Sequence, residues 1–399
     1  MAASSAPALV DARLQPAHRA TAAAFISSGL AFASWASRIP QVRDQLHLGA
    51  ADLGLVLLAI AAGSVLALPL SGPVIARWGT RRTTAAMAAL LGVSLAGVAV
   101  GSAIGVAPLV VALFLMGFAN GAWDVGMNVH GADVEQRLER AVMPRYHAGY
   151  SVGTVAGALV GTAMVALRVP VLVHLLVVGV LIAVVVPLCV QRFLPHQPHP
   201  HAAHEGGATR RSLAAWAEPR TLLIGLFVLA FAFTEGSAND WLSVAVIDGH
   251  GAPAAVGTLA FAVFLGAMTT ARWFGTALLD RFGRVPVVRG LAVVAVGGLL
   301  LFVFAPGVPL AVAGALLWGA GASLGFPVGM SAGSDDPARA AVRVSVISSI
   351  GYCAFLGGPP LIGLLGQHVT VLHALTAVVV LLGVAAAIAT ALRPASPAA

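Results

Sequence analysis

Three acidic residues lie well inside long apolar stretches of this 399-residue chain: Asp124, Glu235 and Asp240. A charge deep in a hydrocarbon layer is costly, so acids at such depth face a bundle interior or a wet cavity and mark ion, proton or substrate paths. Asn120, Asp124 and Asn128 recur every four residues, which puts them on one face of a helix. That stripe is about 12 Å long at 1.5 Å per residue. Asparagine alone would serve for hydrogen bonding between helices; the aspartate adds a group that can take up and release a proton. Asp124 and Glu235 are therefore the candidate proton-coupling residues. Asn120, Asn128, Asn239 and Asp240 are candidates for binding a polar solute, with Asn239 one turn beyond Glu235 on the same face. Trp35 and Trp241 close the first and seventh apolar stretches and are candidates for stacking on a solute, although tryptophan at a helix end more commonly anchors at the membrane interface. Arg272, the single arginine inside an apolar stretch, either snorkels to the interface or pairs with a buried acid; Asp280 lies eight residues on, on roughly the same face. His147 and His174 begin or occupy the fifth and sixth stretches and read as packing or interfacial groups.

The elements that must hold these residues are membrane-spanning helices. Hydrophobic residues make up 59% of the chain and charged residues 9%, against about a quarter charged in soluble domains. Lipid must therefore replace much of the surrounding water. The net charge of +7 comes from 22 arginines and no lysine. The arginines sit in short clusters between apolar runs, without the aromatic-rich basic face of a nucleic-acid binder. Cys189 and Cys353 lie in apolar runs and offer neither a disulfide framework nor a metal pattern. A helix needs about 20 largely apolar residues to cross a bilayer. Twelve runs qualify: 20–37, 53–76, 83–104, 108–129, 146–167, 170–190, 221–247, 254–279, 286–304, 308–330, 342–365 and 369–391. They are too long and too continuously apolar for barrel strands, and the first reads as an uncleaved helix rather than a signal peptide.

Residues 1–190 thus form one six-helix bundle and 221–399 a second. The polar stretch 191–220 is a linker with prolines, glycines and four histidines, His196, His199, His201 and His204, whose composition fits a flexible connection better than a metal site. With the N-terminus inside, 18 of the 22 arginines fall on the inner side and Arg38, Arg43 and Arg168 on the outer. By the positive-inside rule both termini and the linker are cytoplasmic. The halves echo each other: Arg77-Trp78-Gly79 with Arg281-Phe282-Gly283, Gly149-Tyr150 with Gly351-Tyr352, and Trp35 with Trp241 all repeat at offsets of 202 to 206 residues. Three matches at nearly one offset indicate a duplicated six-helix unit.

On these features the chain resembles the major facilitator superfamily. Its signature run between the second and third helices reads here Gly72-Pro73-Val74-Ile75-Ala76-Arg77-Trp78-Gly79-Thr80-Arg81-Arg82. Ala76 stands where the family has aspartate, whereas the second copy keeps it, as Asp280-Arg281-Phe282-Gly283-Arg284. The resemblance implies that Gly72, Arg77, Gly79, Arg81, Asp280, Arg281, Gly283 and Arg284 take part in gating, with Asp280 as a latch at the cytoplasmic end. Asp124 followed four residues later by Asn128 is similar to the fucose-permease-like branch. That likeness implies proton-linked uptake of a small, sugar-like solute by alternating access, in an all-α polytopic protein of twelve helices in two pseudo-symmetric bundles. It would be a monomer in the cytoplasmic membrane, with no cofactor, no metal and no nucleic-acid partner. Proton-driven efflux of amphiphiles is the alternative within transporters. A receptor, a scaffold or a membrane enzyme is the alternative outside them, but the loops offer no nucleophile–base pair or metal-ligand cluster, and no phosphate-binding glycine loop occurs.

Overall fold

The computed structural model describes residues 6–195, 215–336 and 339–394. Every regular element among them is helical. In order they are α1 (Ala6–Ala36), α2 (Ile39–Gln45), α3 (Ala50–Ile104), α4 (Val106–Leu138), α5 (Met143–Ala166), α6 (Val171–Cys189), α7 (Pro219–His250), α8 (Ala254–Phe282), α9 (Arg284–Phe304), α10 (Val308–Ala322), α11 (Gly325–Gly333), α12 (Ala340–Val369), α13 (Val371–Ala374) and α14 (Thr376–Ile388). Helices dominate because a spanning segment must satisfy its own backbone hydrogen bonds. Proline occupies the first turn of α2, α5, α7 and α10, where its missing N–H costs nothing.

Ten helices among the described residues are long and apolar enough to cross a membrane. One of them, the 55-residue α3, is two helices joined at Gly79, so it carries both the second and the third apolar runs. α1 carries the first run and starts well before it. The tenth run is broken in two, because α10 ends at Ala322 and α11 begins at Gly325. The twelfth is split into α13 and α14.

Two compact units emerge: Met1–Leu48 with Ala59–His199, and Gly49–Leu58 with Pro200–Ala399. In the first unit, α1 lies along α5 with five glycines at the seam, four of them on α5 and Gly29 on α1. A Cβ on Gly153 would collide with the carbonyl oxygen of Ile26, one on Gly157 would come to 2.6 Å from that of Leu30, and one on Gly161 would collide with the hydroxyl of Ser37. Backbones this close gain dense van der Waals contact, which drives helix association in lipid. In the second unit the matching pair is α7 with α12, but there Gly351 meets the Val228 side chain instead of backbone.

The duplication is visible in detail. Gly79 (φ 78°, ψ 161°) and Gly283 (φ 77°, ψ 168°) adopt the same conformation, one open almost solely to glycine. Gly117 abuts the Ile60 carbonyl between α4 and α3, and Gly319 abuts the Phe264 carbonyl between α10 and α8.

Candidate functional site

In the first unit the polar stripe on α4 is built as its spacing requires. Asn128 donates its side-chain amide to both the main-chain oxygen of Asp124 (2.9 Å) and its carboxylate (3.1 Å). Ser28 of α1 donates to the Asn120 side-chain oxygen at 3.4 Å, so the stripe reaches across to the neighbouring helix. All three stripe residues are half-buried. Among the described residues no cation pairs with Asp124. The α4 backbone approaches α3 closely here, since a Cβ on Gly126 would lie 2.6 Å from the Thr84 hydroxyl. The carboxylate is thus held by an amide alone, in a helix packed tightly against its neighbours.

In the second unit Glu235 of α7 pairs with Arg272 of α8, Nη2 to Oε2 at 2.8 Å. Arg272 Nε also donates to the main-chain oxygen of Ser323 at 2.9 Å. Ser323 sits at the break between α10 and α11, where the helix ladder is interrupted and a carbonyl is free to accept. Arg272 therefore pairs with the half-buried acid on the preceding helix and not with Asp280, which the same-face spacing favours. Hydrophobic patterning cannot find this contact, because it joins residues 37 apart on different helices.

Asn239 lies one turn beyond Glu235; its side-chain oxygen is enclosed and has no partner among the described residues. Asp240 is half-buried and makes no hydrogen bond or ion pair among the described residues. Trp35 and Trp241 are 2% and 0% exposed, so both rings are enclosed by protein rather than open to a solute or set in an interfacial belt. The indole N–H of Trp241 has no acceptor among the described residues.

The residues expected to take part in gating divide. Gly79 and Gly283 make the tight turns; Gly72, Arg77 and Arg81 are exposed. Asp280 is exposed and unpaired among the described residues, and Arg281 lies over the Phe282 ring at 5.1 Å. Arg284 instead bonds Asp335 (2.7 Å), which also holds Arg220 (2.8 Å). Glu218 joins Arg339 (2.8 Å) and Arg343 (2.7 Å) at the same end of the unit. The sequence reading passed over Glu218 and Asp335 because both lie in polar connections rather than in apolar runs.

Arg38, counted as an outer-loop arginine, is only 2% exposed. It donates to His174 Nδ1 (2.9 Å) and to the Val169 carbonyl (3.0 Å), so His174 is an acceptor within a packed cluster. His147 lies against the Phe25 ring. Among the described residues no group of three or more His, Cys, Asp and Glu side chains could hold a metal; the four linker histidines lie outside the described residues.

The family model for the Major Facilitator Superfamily matches residues 20–359. An uncharacterized transporter, y4wD, of Sinorhizobium fredii is 33% identical over 363 residues, which cover 90% of this chain and 93% of that one. Among solved structures, a nucleoside transporter, NupG, aligns with a TM-score of 0.75 at 15% identity, over 94% of this chain and 98% of its own. The E. coli fucose:proton symporter FucP aligns with a TM-score of 0.64 at 16% identity, over 95% of this chain and 98% of its own. At such identities the two structures speak for the fold.

Proposed function

We propose, from the premise that the chain belongs to the major facilitator superfamily and is a secondary transporter, that it carries a small polar solute by alternating access and couples it to protons through Asp124. The observation that carries this reading is the contrast between the two candidate proton-coupling acids. Glu235 is neutralised by Arg272 at 2.8 Å, whereas among the described residues Asp124 is held only by Asn128. An unpaired carboxylate among apolar helices becomes inexpensive to bury when it takes a proton. The Asn120–Asp124–Asn128 stripe, tied to Ser28, offers amide and hydroxyl partners suited to a hydroxylated cargo. Two fold neighbours are named for polar cargo, one a nucleoside transporter and one a fucose:proton symporter.

One proton carried inward with a neutral solute moves one charge through the membrane potential. At 100 mV that supplies about 2.3 kcal/mol, or roughly 50-fold accumulation. A thermal-shift screen of purified protein against sugars, amino acids, organic acids and cationic dyes identifies a ligand through its selective binding to the native state. Proteoliposomes with an imposed proton gradient then compare wild type with Asp124→Asn, which keeps shape and hydrogen bonding but cannot titrate. The variant should lose accumulation against a gradient and keep exchange of labelled for unlabelled ligand. Full accumulation by Asp124→Asn would overturn the assignment and move the proton to Glu235.

A further inference from the structure

Arg272 and Glu235 are incompletely used by the protein. The guanidinium has five N–H donors; one goes to the Ser323 carbonyl and one to Glu235. The remaining three have no acceptor among the described residues. Glu235 spends one oxygen on Arg272, and the other has no partner among the described residues. Both side chains are about a quarter exposed, 28% and 25%. Charged side chains within spanning helices face a bundle interior or a water-filled cavity rather than lipid. On the same face of α7, the side-chain oxygen of Asn239 is enclosed and lacks a donor. Nearby at the helix break, the Ser323 hydroxyl is also enclosed and unpartnered.

We infer that Glu235 and Arg272 form a recognition site for a small zwitterion, a solute carrying an ammonium and a carboxylate a few ångströms apart, of the amino-acid class. The inference rests on the reading of the chain as a transporter of small polar solutes and names a cargo class for it.

Charge decides between ligand types. A simple anion added to Arg272 would set two carboxylates on one guanidinium. A simple cation added to Glu235 would crowd two cations around one carboxylate. A zwitterion satisfies both at once: its carboxylate takes the free guanidinium N–H groups, its ammonium takes the free Glu235 oxygen, and four charges of alternating sign close a ring with no net charge. The protein pair need not break, and a neutral ring is the form least costly to enclose away from water. The guanidinium is pinned in place by the Ser323 carbonyl, and its planar fork suits a carboxylate in two-point contact. Asn239, one turn on, is the adjacent acceptor for a further ammonium N–H once its side chain turns toward the site. Every group named belongs to the second unit.

Thermal melting of the detergent-purified full chain tests this with L-alanine, L-leucine and L-phenylalanine. N-acetyl-L-leucine, L-leucine methyl ester and L-fucose serve as probes lacking one or both charges. At least one free amino acid should raise the melting temperature in a saturable way, and the three control probes should bind at least tenfold more weakly. Glu235→Gln should abolish the shift. Because a single substitution strands the partner charge and the variant could fail to fold, the Glu235→Gln/Arg272→Gln double variant is measured too. It removes both charges and should melt cooperatively but show no amino-acid shift. Absence of a shift with all three amino acids, an equal shift with the ester or the acetylated probe, or a shift that survives in the double variant would each overturn the inference. A sugar that binds and is accumulated through Asp124 while no amino acid binds would sink the zwitterion site and leave the proton-coupled reading standing.

Discussion

Replacing the glycines of the α1–α5 seam one at a time should give a graded loss of stability whose order is set by what each new methyl meets. At Gly157 a Cβ would lie 2.6 Å from the Leu30 carbonyl and 3.1 Å from the Ala33 Cβ, where ordinary contact begins at 3.4 Å. The helices must separate there by roughly 0.8 Å, and gaps of about 0.5–1 Å forfeit a quarter to a half of the dispersion well along the affected seam. Overpacking of this kind costs about 1–3 kcal/mol. At Gly153 the clash with the Ile26 carbonyl is closer still, and main chain cannot turn aside as a side chain can. At Gly149 the nearest atom is Ile26 Cγ1 at 3.2 Å, the branch of a side chain that can give way. Alanine also gains up to about 1 kcal/mol over glycine inside a helix, so each clash must first exceed that gain. Gly153→Ala should therefore lose about 1–2 kcal/mol net, Gly157→Ala somewhat less, and Gly149→Ala should be neutral or slightly stabilised. Gly351→Ala, the repeat partner of Gly149, meets Val228 Cγ1 at 2.9 Å and should cost less than Gly153→Ala. Tryptophan fluorescence during heating of detergent-purified variants reads the order. Equal melting of all four variants, or Gly149→Ala melting below Gly153→Ala, would refute the view that main-chain contact sets the cost.

Glu218 offers a pH test. Burial acts to raise its pKa, but hydrogen bonds from Arg343, Thr221 and Arg339 and the charge of Arg343 outweigh it and hold the carboxyl below its ordinary value of 4.5. A lowered folded-state pKa contributes stability above the unfolded value that disappears as pH falls through the folded one. Wild type should thus melt above Glu218→Gln at pH 7, and the two curves should converge as pH drops below about 4.5; a gap unchanged by acid would count against the ion pairs. Asp335→Asn weakens the bridge that holds Arg220 and Arg284 and should lower the melting temperature, at a cost of about 1–3 kcal/mol. Asp280→Asn, at an exposed site with no partner among the described residues, should stay within about 0.5 kcal/mol; the reverse order would make Asp280 the stronger tie of the second unit. For orientation, with Cys189 and Cys353 replaced, an impermeant thiol reagent applied to intact cells should label His47→Cys and spare Glu139→Cys. Labelling of the second alone would invert the topology.

The all-α class and most of the spans were legible because the bilayer imposes a simple rule on local sequence: about 20 apolar residues in a self-satisfied helix. Gly79 and Gly283 announced their turns through an Arg-x-Gly repeat, since no other residue tolerates that backbone conformation cheaply. The face shared by Asp124 and Asn128 followed from helical periodicity alone, and the structure gives them the bond that four-residue spacing allows. Trp241 shows the limit of such reasoning: its place at the end of an apolar run suggested an interface or a solute, yet it is wholly enclosed. Asp335 escaped notice for the opposite reason, as one acid in a short polar connection whose partners come from elsewhere in the second unit.

Sequence by itself therefore determined the class of molecule, most of its spans and the single-helix polar stripe, because each depends on residues within a few turns of one another. Tertiary structure alone decided that Glu235 is neutralised by Arg272 while Asp124 is not, and that a carbonyl at the α10–α11 break holds the guanidinium in place. Those facts depend on which helices lie side by side and on where a ladder is interrupted. Ion pairing between helices follows from distances of 3 Å or so between side chains far apart in the chain, and hydropathy carries no record of them.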